Sequence, residues 1–160
     1  MVLREVAGSV EVLFIERAAR EGDPWSGQVA LPGGRFDASD ADLLVTARRE
    51  TREEVALDLD AHGVLLGQLD EHRPRTPALP PVIVRPFVFA LATEPEALVA
   101  SDEVAHAFWV PLTHLTDPAR RSEITIPVRG MRVRLPAIAT HDRVIWGMTE
   151  RILKTFLEVW

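Results

Sequence analysis

The chain has 160 residues, enough for one domain with a real hydrophobic core and too few for two, so a single domain over residues 1–160 is expected. With 47% hydrophobic and 26% charged residues the composition is globular, which excludes a disordered or fibrous chain, and the lack of cysteine excludes disulfides and a thiolate zinc centre. The net charge of −6 argues against nucleic-acid binding through a basic face, and no segment reads as a membrane span or a secretory signal; these point to a cytoplasmic protein with a small-molecule partner.

In chain order, residues 2–6 read as a strand that begins almost at Met1, so the sequence is expected to start inside an element that is longer in related chains. Residues 10–15, Val-Glu-Val-Leu-Phe-Ile, predict a second strand with one well-buried face. Residues 20–34 form a loop rich in turn residues, with a short strand at 29–31; ordered loops of this kind more often carry function than core. A helix is expected over residues 40–56, where Leu43, Leu44, Ala47, Thr51 and Val55 make an apolar stripe and Ser39 or Asp40 can cap the start. Strands follow at 64–69, 82–91 and 107–110, the first two joined by a stiff connection, residues 73–81, that holds four prolines. A hairpin over 124–135 turning at Arg129-Gly130 and a helix over 143–159 complete the chain. This order predicts an α/β fold, a mixed β-sheet between helices.

The helix at 40–56 carries Arg49-Glu50-Thr51-Arg52-Glu53-Glu54. Glu50, Glu53 and Glu54 stand at i, i+3 and i+4, so three carboxylates share one turn. Like charges at this spacing destabilise a helix by ~0.2–0.5 kcal/mol per pair, whereas a hard divalent cation with oxygen ligands turns the same arrangement into a site. Taken alone, such glutamates are usually a solvated surface, with Arg49 and Glu53 an ordinary ion pair.

The surrounding residues change that weighting. Gly34, five residues, Asp40, eight residues, then Arg49-Glu50-x-x-Glu53-Glu54-x-x-Leu57 resembles the Nudix box, usually written Gly-x5-Glu-x7-Arg-Glu-U-x-Glu-Glu-x-Gly-U with U aliphatic. Asp40 replaces the first glutamate, Thr51 stands at an aliphatic position, Ala56 replaces the late glycine, and the spacer is one residue longer. That longer spacer, the run Gly27-Gln28-Val29-Ala30-Leu31-Pro32-Gly33-Gly34-Arg35, and the later Asp102-Glu103-Val104, Val110-Pro111-Leu112 and Ile145-Trp146-Gly147-x-Thr149 are similar to the coenzyme A pyrophosphatase-like branch. The signature preceding the core is altered, with Ala19 at a serine position and Gly22-Asp23 in place of a Leu-Arg pair.

The resemblance implies a Nudix-type α/β/α sandwich and Mg2+- or Mn2+-dependent hydrolysis of a diphosphate linkage, in coenzyme A or a related nucleoside diphosphate derivative. The same chemistry on ADP-ribose, a dinucleotide polyphosphate or an NTP stays open, as does a non-catalytic ligand-sensing module. By resemblance Glu50 and Glu54 are metal ligands, Glu53 is a ligand or the base, and the Gly34 carbonyl is a further ligand. Arg49 orients Glu53, and Asp40 caps the helix or braces the loop. Glu103, in a loop before a strand, is a candidate additional acid. Arg17, Arg20 and Arg35, with Arg73, Arg75 and Arg85, are candidates for holding phosphate, because guanidinium offers paired donors to anionic oxygens. Trp25 is expected to cover the core more readily than to stack on a base, and His106 lacks metal-ligand spacing. A homodimer is compatible with this reading.

Overall fold

The computed structural model describes residues 1–23, 25–74, 81–93, 95–128 and 130–160. Two antiparallel strands, β1 (Val2–Val6) and β2 (Ser9–Arg17), open the chain and pair in register Leu3 with Val12. β2 is the hub of the main sheet. One of its edges takes β1 along its first half and the short β3 (Val29–Ala30) along its second, and the opposite edge takes β6 (Val104–Pro111) along its length. Beyond β1 the sheet continues with a parallel neighbour, β5 (Phe87–Leu91), and then the antiparallel β4 (Gly63–Gln68). The sheet is therefore mixed, as expected. A second sheet holds β7 (Arg121–Val128), β8 (Met131–Ala139) and β9 (Val144–Trp146).

The alternation along β2 builds two cores. Val12 and Phe14 join Leu153 and Phe156 of the last helix, α4 (Gly147–Leu157), and Leu115 of α3 (Leu112–Thr116). Leu13 and Ile15 face the other way, onto Val55 of α1 (Leu43–Val55) and Leu59 of α2 (Leu59–His62). Each of the four β2 side chains is at most 1% exposed. The expectation of one well-buried face is thus corrected: helices cover both faces, which produces the run of consecutive apolar residues in place of strict alternation. This is the α/β/α sandwich. No helix among the described residues is long and apolar enough to cross a membrane.

Several boundaries differ from expectation for identifiable reasons. α1 starts at Leu43, capped by neither Ser39 nor Asp40 but by Asp42, whose Oδ1 accepts from the N–H groups of Leu44 and Val45 at 2.8 and 2.9 Å. The strand expected over 82–91 shortens to β5, because Pro81 and Pro86 offer no N–H to a ladder; upstream an isolated bridge forms between Val84 and His72. The last helix gives its first residues to β9 and starts at Gly147, where φ is +70°. The short helices α2 and α3 carry too few turns for periodicity to reveal. Arg75, Arg129 and most of the proline-rich connection lie outside the described residues.

Ala56 ends α1 in the left-handed region, φ +55°, with its N–H bonded to the Arg52 carbonyl. A Cβ is unfavourable there by about 1 kcal/mol, the physical reason for a glycine at this point of the motif. Ala56→Gly is expected to stabilise the protein by about that amount, raising Tm by a few degrees in a thermal melt.

Candidate active site

α1 and the Pro32-Gly33-Gly34 turn meet at one end of a cleft of about 1710 Å³. Glu50 and Glu54 line the cleft, one helical turn apart. The Gly33 N–H donates to Glu54 Oε2 at 2.8 Å. A Cβ on Gly34 would fall inside the Glu50 carboxyl group, so the turn can pack on this acid only with a glycine there. Gly33 has φ +149°, a second conformational need for glycine in the pair. The sequence reading gave Gly34 a role and missed the Gly33 N–H, although the doubled glycine was its signal.

Arg49 ties this structure together. Its Nε and Nη2 each donate to one oxygen of Asp40 at 3.0 Å, Nη1 lies 3.0 Å from both Glu50 Oε1 and Glu53 Oε2, and Nη2 also reaches the Arg35 carbonyl at 3.1 Å. Asp40 is buried and also accepts from the Thr46 hydroxyl and the Asp37 N–H. Of its two expected roles Asp40 therefore takes loop bracing, and the Arg49 guanidinium holds its carboxyl far below the usual carboxylate range. Thr46, 3% exposed on the buried face of α1, belongs to this brace, a role not assigned to it from sequence.

The structure separates the three glutamates of the helix. Glu53 is 57% exposed at its side chain and faces Arg49, and it does not line the cleft. Glu103 does line it. Its loop is fixed by the Ala18 N–H, which donates to the Glu103 carbonyl at 2.8 Å, and by the Glu54 carbonyl, which accepts from Ala100 at 3.0 Å. Glu103 is close enough to raise the proton affinity of both Glu50 and Glu54. Of the acids singled out from sequence, Glu50, Glu54 and Glu103 are thus the ones on the cleft. Among the described residues no three acidic or histidine side chains converge tightly enough to form a complete metal-ligand set alone.

Arg17, Arg20, Arg35 and Arg85 line the cleft, whereas Arg73 does not and instead lends its carbonyl to Arg151. Arg17 donates to Asp23 at 3.0 Å, Arg20 pairs with Glu103 at 3.0 Å, and Arg85 pairs with Glu71 at 2.6 Å. Trp25 lines the cleft in place of covering the core.

Burial pushes Glu54 up to about 7, helped by the charges of Glu50 and Glu103 and opposed by the Gly33 N–H and Arg17. Burial also raises Glu50. Between Glu54's ordinary value of 4.5 and about 7 the unfolded chain has released a proton that the folded chain keeps. Stability of metal-free protein is therefore expected to fall as pH rises through that window, by up to about 3 kcal/mol, and to be flat in this contribution on either side. Urea denaturation in chelator at pH 5 and pH 8 reads the difference, which Glu54→Gln should largely remove.

A mixed sheet between helices, with an acid-bearing helix packed on a Gly-Gly turn, defines the Nudix architecture, and residues 1–127 match the family model described as NUDIX domain; the chain belongs to the Nudix family. It is 33% identical over 143 residues to the uncharacterized Nudix hydrolase NudL of Citrobacter koseri, a match covering 89% of this chain and 71% of that protein. It is 39% identical over 118 residues to an uncharacterized protein of Schizosaccharomyces pombe, covering 72% of this chain but only 36% of the yeast protein. Among solved structures, a MutT/nudix family protein from Enterococcus faecalis superposes with TM-score 0.62 at 21% identity, covering 99% of this chain and 59% of that one. The Caenorhabditis elegans Ap4A hydrolase binary complex gives TM-score 0.54 at 20% identity, covering 68% and 74%. The Nudix domain of Shewanella oneidensis NrtR, complexed with ADP ribose, gives 0.52 at 20% identity, covering 70% and 69%. At these identities the structural likeness speaks for the fold.

Proposed function

We propose that this protein is a divalent-metal-dependent pyrophosphohydrolase that cleaves the diphosphate linkage of a nucleoside diphosphate derivative, coenzyme A foremost. The observation that carries the reading is the pair Glu50 and Glu54, both drawn into the cleft beside the Gly33-Gly34 turn with raised proton affinity. Two adjacent, desolvated carboxylates repel each other, and an oxygen-preferring divalent cation relieves that repulsion; the donor set therefore fits Mg2+ or Mn2+. Glu50 and Glu54, with the Gly34 carbonyl, would hold the ion. When bound, it supplies Lewis acidity toward water and neutralises charge developing on a diphosphate oxygen.

The chain's own residues do the remainder. Glu103, on the cleft and beside Arg20, accepts the proton of the attacking water at its carboxylate, a role that Glu53, which does not line the cleft, is poorly placed to fill. Arg17, Arg20 and Arg35 offer guanidinium donors to the phosphate oxygens. Arg49 positions Glu50 and fastens the loop through Asp40, so the acid pair is held in place before substrate arrives.

The coenzyme A assignment is supported by the lengthened box, and the nucleotide class by neighbours described as an Ap4A hydrolase and as an ADP ribose complex. The test is hydrolysis of coenzyme A, ADP-ribose, diadenosine tetraphosphate and NTPs with Mg2+ or Mn2+, read by product identification. Release of 3′,5′-ADP from coenzyme A is the expected result. Turnover of another compound alone reassigns the substrate, and binding without any product in the presence of metal points to a sensor and overturns the hydrolase reading.

A further inference from the structure

The same cleft has a wall that the chemistry above leaves unused. It is formed by the β7–β8 hairpin and the first turn of α4, and its side chains include Val128, Val133, Leu135 and Met148. Among these apolar groups sits Glu150, a cleft-lining residue only 5% exposed.

The polar atoms of a residue so little exposed are ordinarily hydrogen-bonded. Among the described residues Glu150 has no hydrogen bond, and its one ion pair, to Arg121 Nη1, spans 3.9 Å, beyond hydrogen-bonding reach. Its neighbours are engaged elsewhere: the Thr149 hydroxyl donates to the Val29 carbonyl, and Arg151 Nη1 donates to the Arg73 carbonyl. A place in the first turn of α4 suits a negative charge electrostatically but fills none of the carboxylate's acceptor positions. The residue thus presents empty acceptors to a cleft large enough for a ligand.

Its location is within reach of a substrate held at the Gly33-Gly34 turn. Thr149 holds Val29 at 3.0 Å, and Val29 precedes Gly34 by five residues, a span of at most ~18 Å of extended chain. A molecule bearing groups on both sides of a diphosphate can bridge such a distance. The negative charge disfavours a second anionic group at this place and Arg121, 3.9 Å away, disfavours a cationic one, which leaves an uncharged donor.

We propose that Glu150 is a specificity-determining residue, accepting a hydrogen bond from an uncharged N–H or O–H donor, such as an amide, exocyclic amine or hydroxyl, on the portion of substrate that extends beyond the diphosphate. The inference rests on the hydrolase reading for its kinetic consequence but not for its binding consequence.

The test compares wild type with Glu150→Met, which keeps the shape and removes the acceptors, and Glu150→Gln, which keeps one acceptor. KM and kcat are measured for coenzyme A, ADP-ribose and diadenosine tetraphosphate, and calorimetric Kd for these compounds and for ADP. Glu150→Met is expected to raise KM or Kd at least about tenfold for a donor-bearing compound with kcat little changed, and Glu150→Gln to stay within about threefold of wild type. Equal weakening of all four ligands places the donor on the adenosine they share; weakening confined to one compound, with ADP unaffected, places it on that compound's other arm. Three results overturn the proposal: KM and Kd unchanged in Glu150→Met, with or without a lower Tm; equal losses in Glu150→Gln and Glu150→Met; or no binding of any of the compounds by wild type. Binding without hydrolysis by wild type defeats the hydrolase reading instead, and the Kd values still decide the role of Glu150.

Discussion

Glu54→Gln protein is expected to fold, to resist unfolding at pH 8 in chelator better than wild type, and to hydrolyse diphosphate substrates at least about 100-fold more slowly. The two halves of this expectation come from one cause. Glu54 is held nearly out of water beside Glu50, which burial and repulsion make costly for the ionised form. Glutamine keeps an oxygen for the Gly33 N–H, so the 2.8 Å bond that shapes the turn survives while the charge is removed. A residue that served stability would weaken the protein on substitution; one that holds a cation should relieve it. Calorimetric titration with Mn2+ should show weakened metal binding together with the lost turnover. Unchanged turnover in folded Glu54→Gln protein would remove the basis of the proposed chemistry.

Gly34→Ala is expected to divide stability from activity in another way. The three atoms nearest the added Cβ all belong to the Glu50 carboxyl, and Gly34 does not require a positive φ. Glu50 can move aside at its flexible end, so Tm should shift little. The displaced acid can no longer act together with Glu54, and a misplacement of about 1 Å in such a group can cost on the order of 100-fold in rate. A folded variant with wild-type kcat/KM would show that the close contact between the turn and Glu50 has no bearing on the reaction. Gly33→Ala, at φ +149°, should by contrast cost stability as well.

The acid helix was legible because its spacing is local, and its cap was not. Leu43, Leu44, Ala47, Thr51 and Val55 gave the apolar stripe, but Asp40, Ser39 and Asp42 are all capping residues by type. The choice fell to Asp42 because Arg49, nine residues away, takes the Asp40 carboxylate. The helix also contained an unread signal about its glutamates. At about 100° per residue, Glu50 and Glu54 lie about 100° and 60° from Thr51 around the axis, whereas Glu53 lies about 160° away, nearly opposite the buried side. Glu103 could be reached only through resemblance, since its approach to Glu50 and Glu54 depends on backbone bonds from Ala18 and Ala100 across distant parts of the chain. The two-sided burial of β2 was visible as an apolar run, which on its own also fits a strand with a single covered face.

The bond from Thr149 to the Val29 carbonyl has a consequence for how this protein would tolerate editing. It crosses 120 positions of sequence to pin the strand that runs into Pro32, Gly33 and Gly34. Shortening the chain from its far end would therefore act like withdrawing a peg from a hinge: the acids would remain intact, yet the backbone they lean against would lose its anchor.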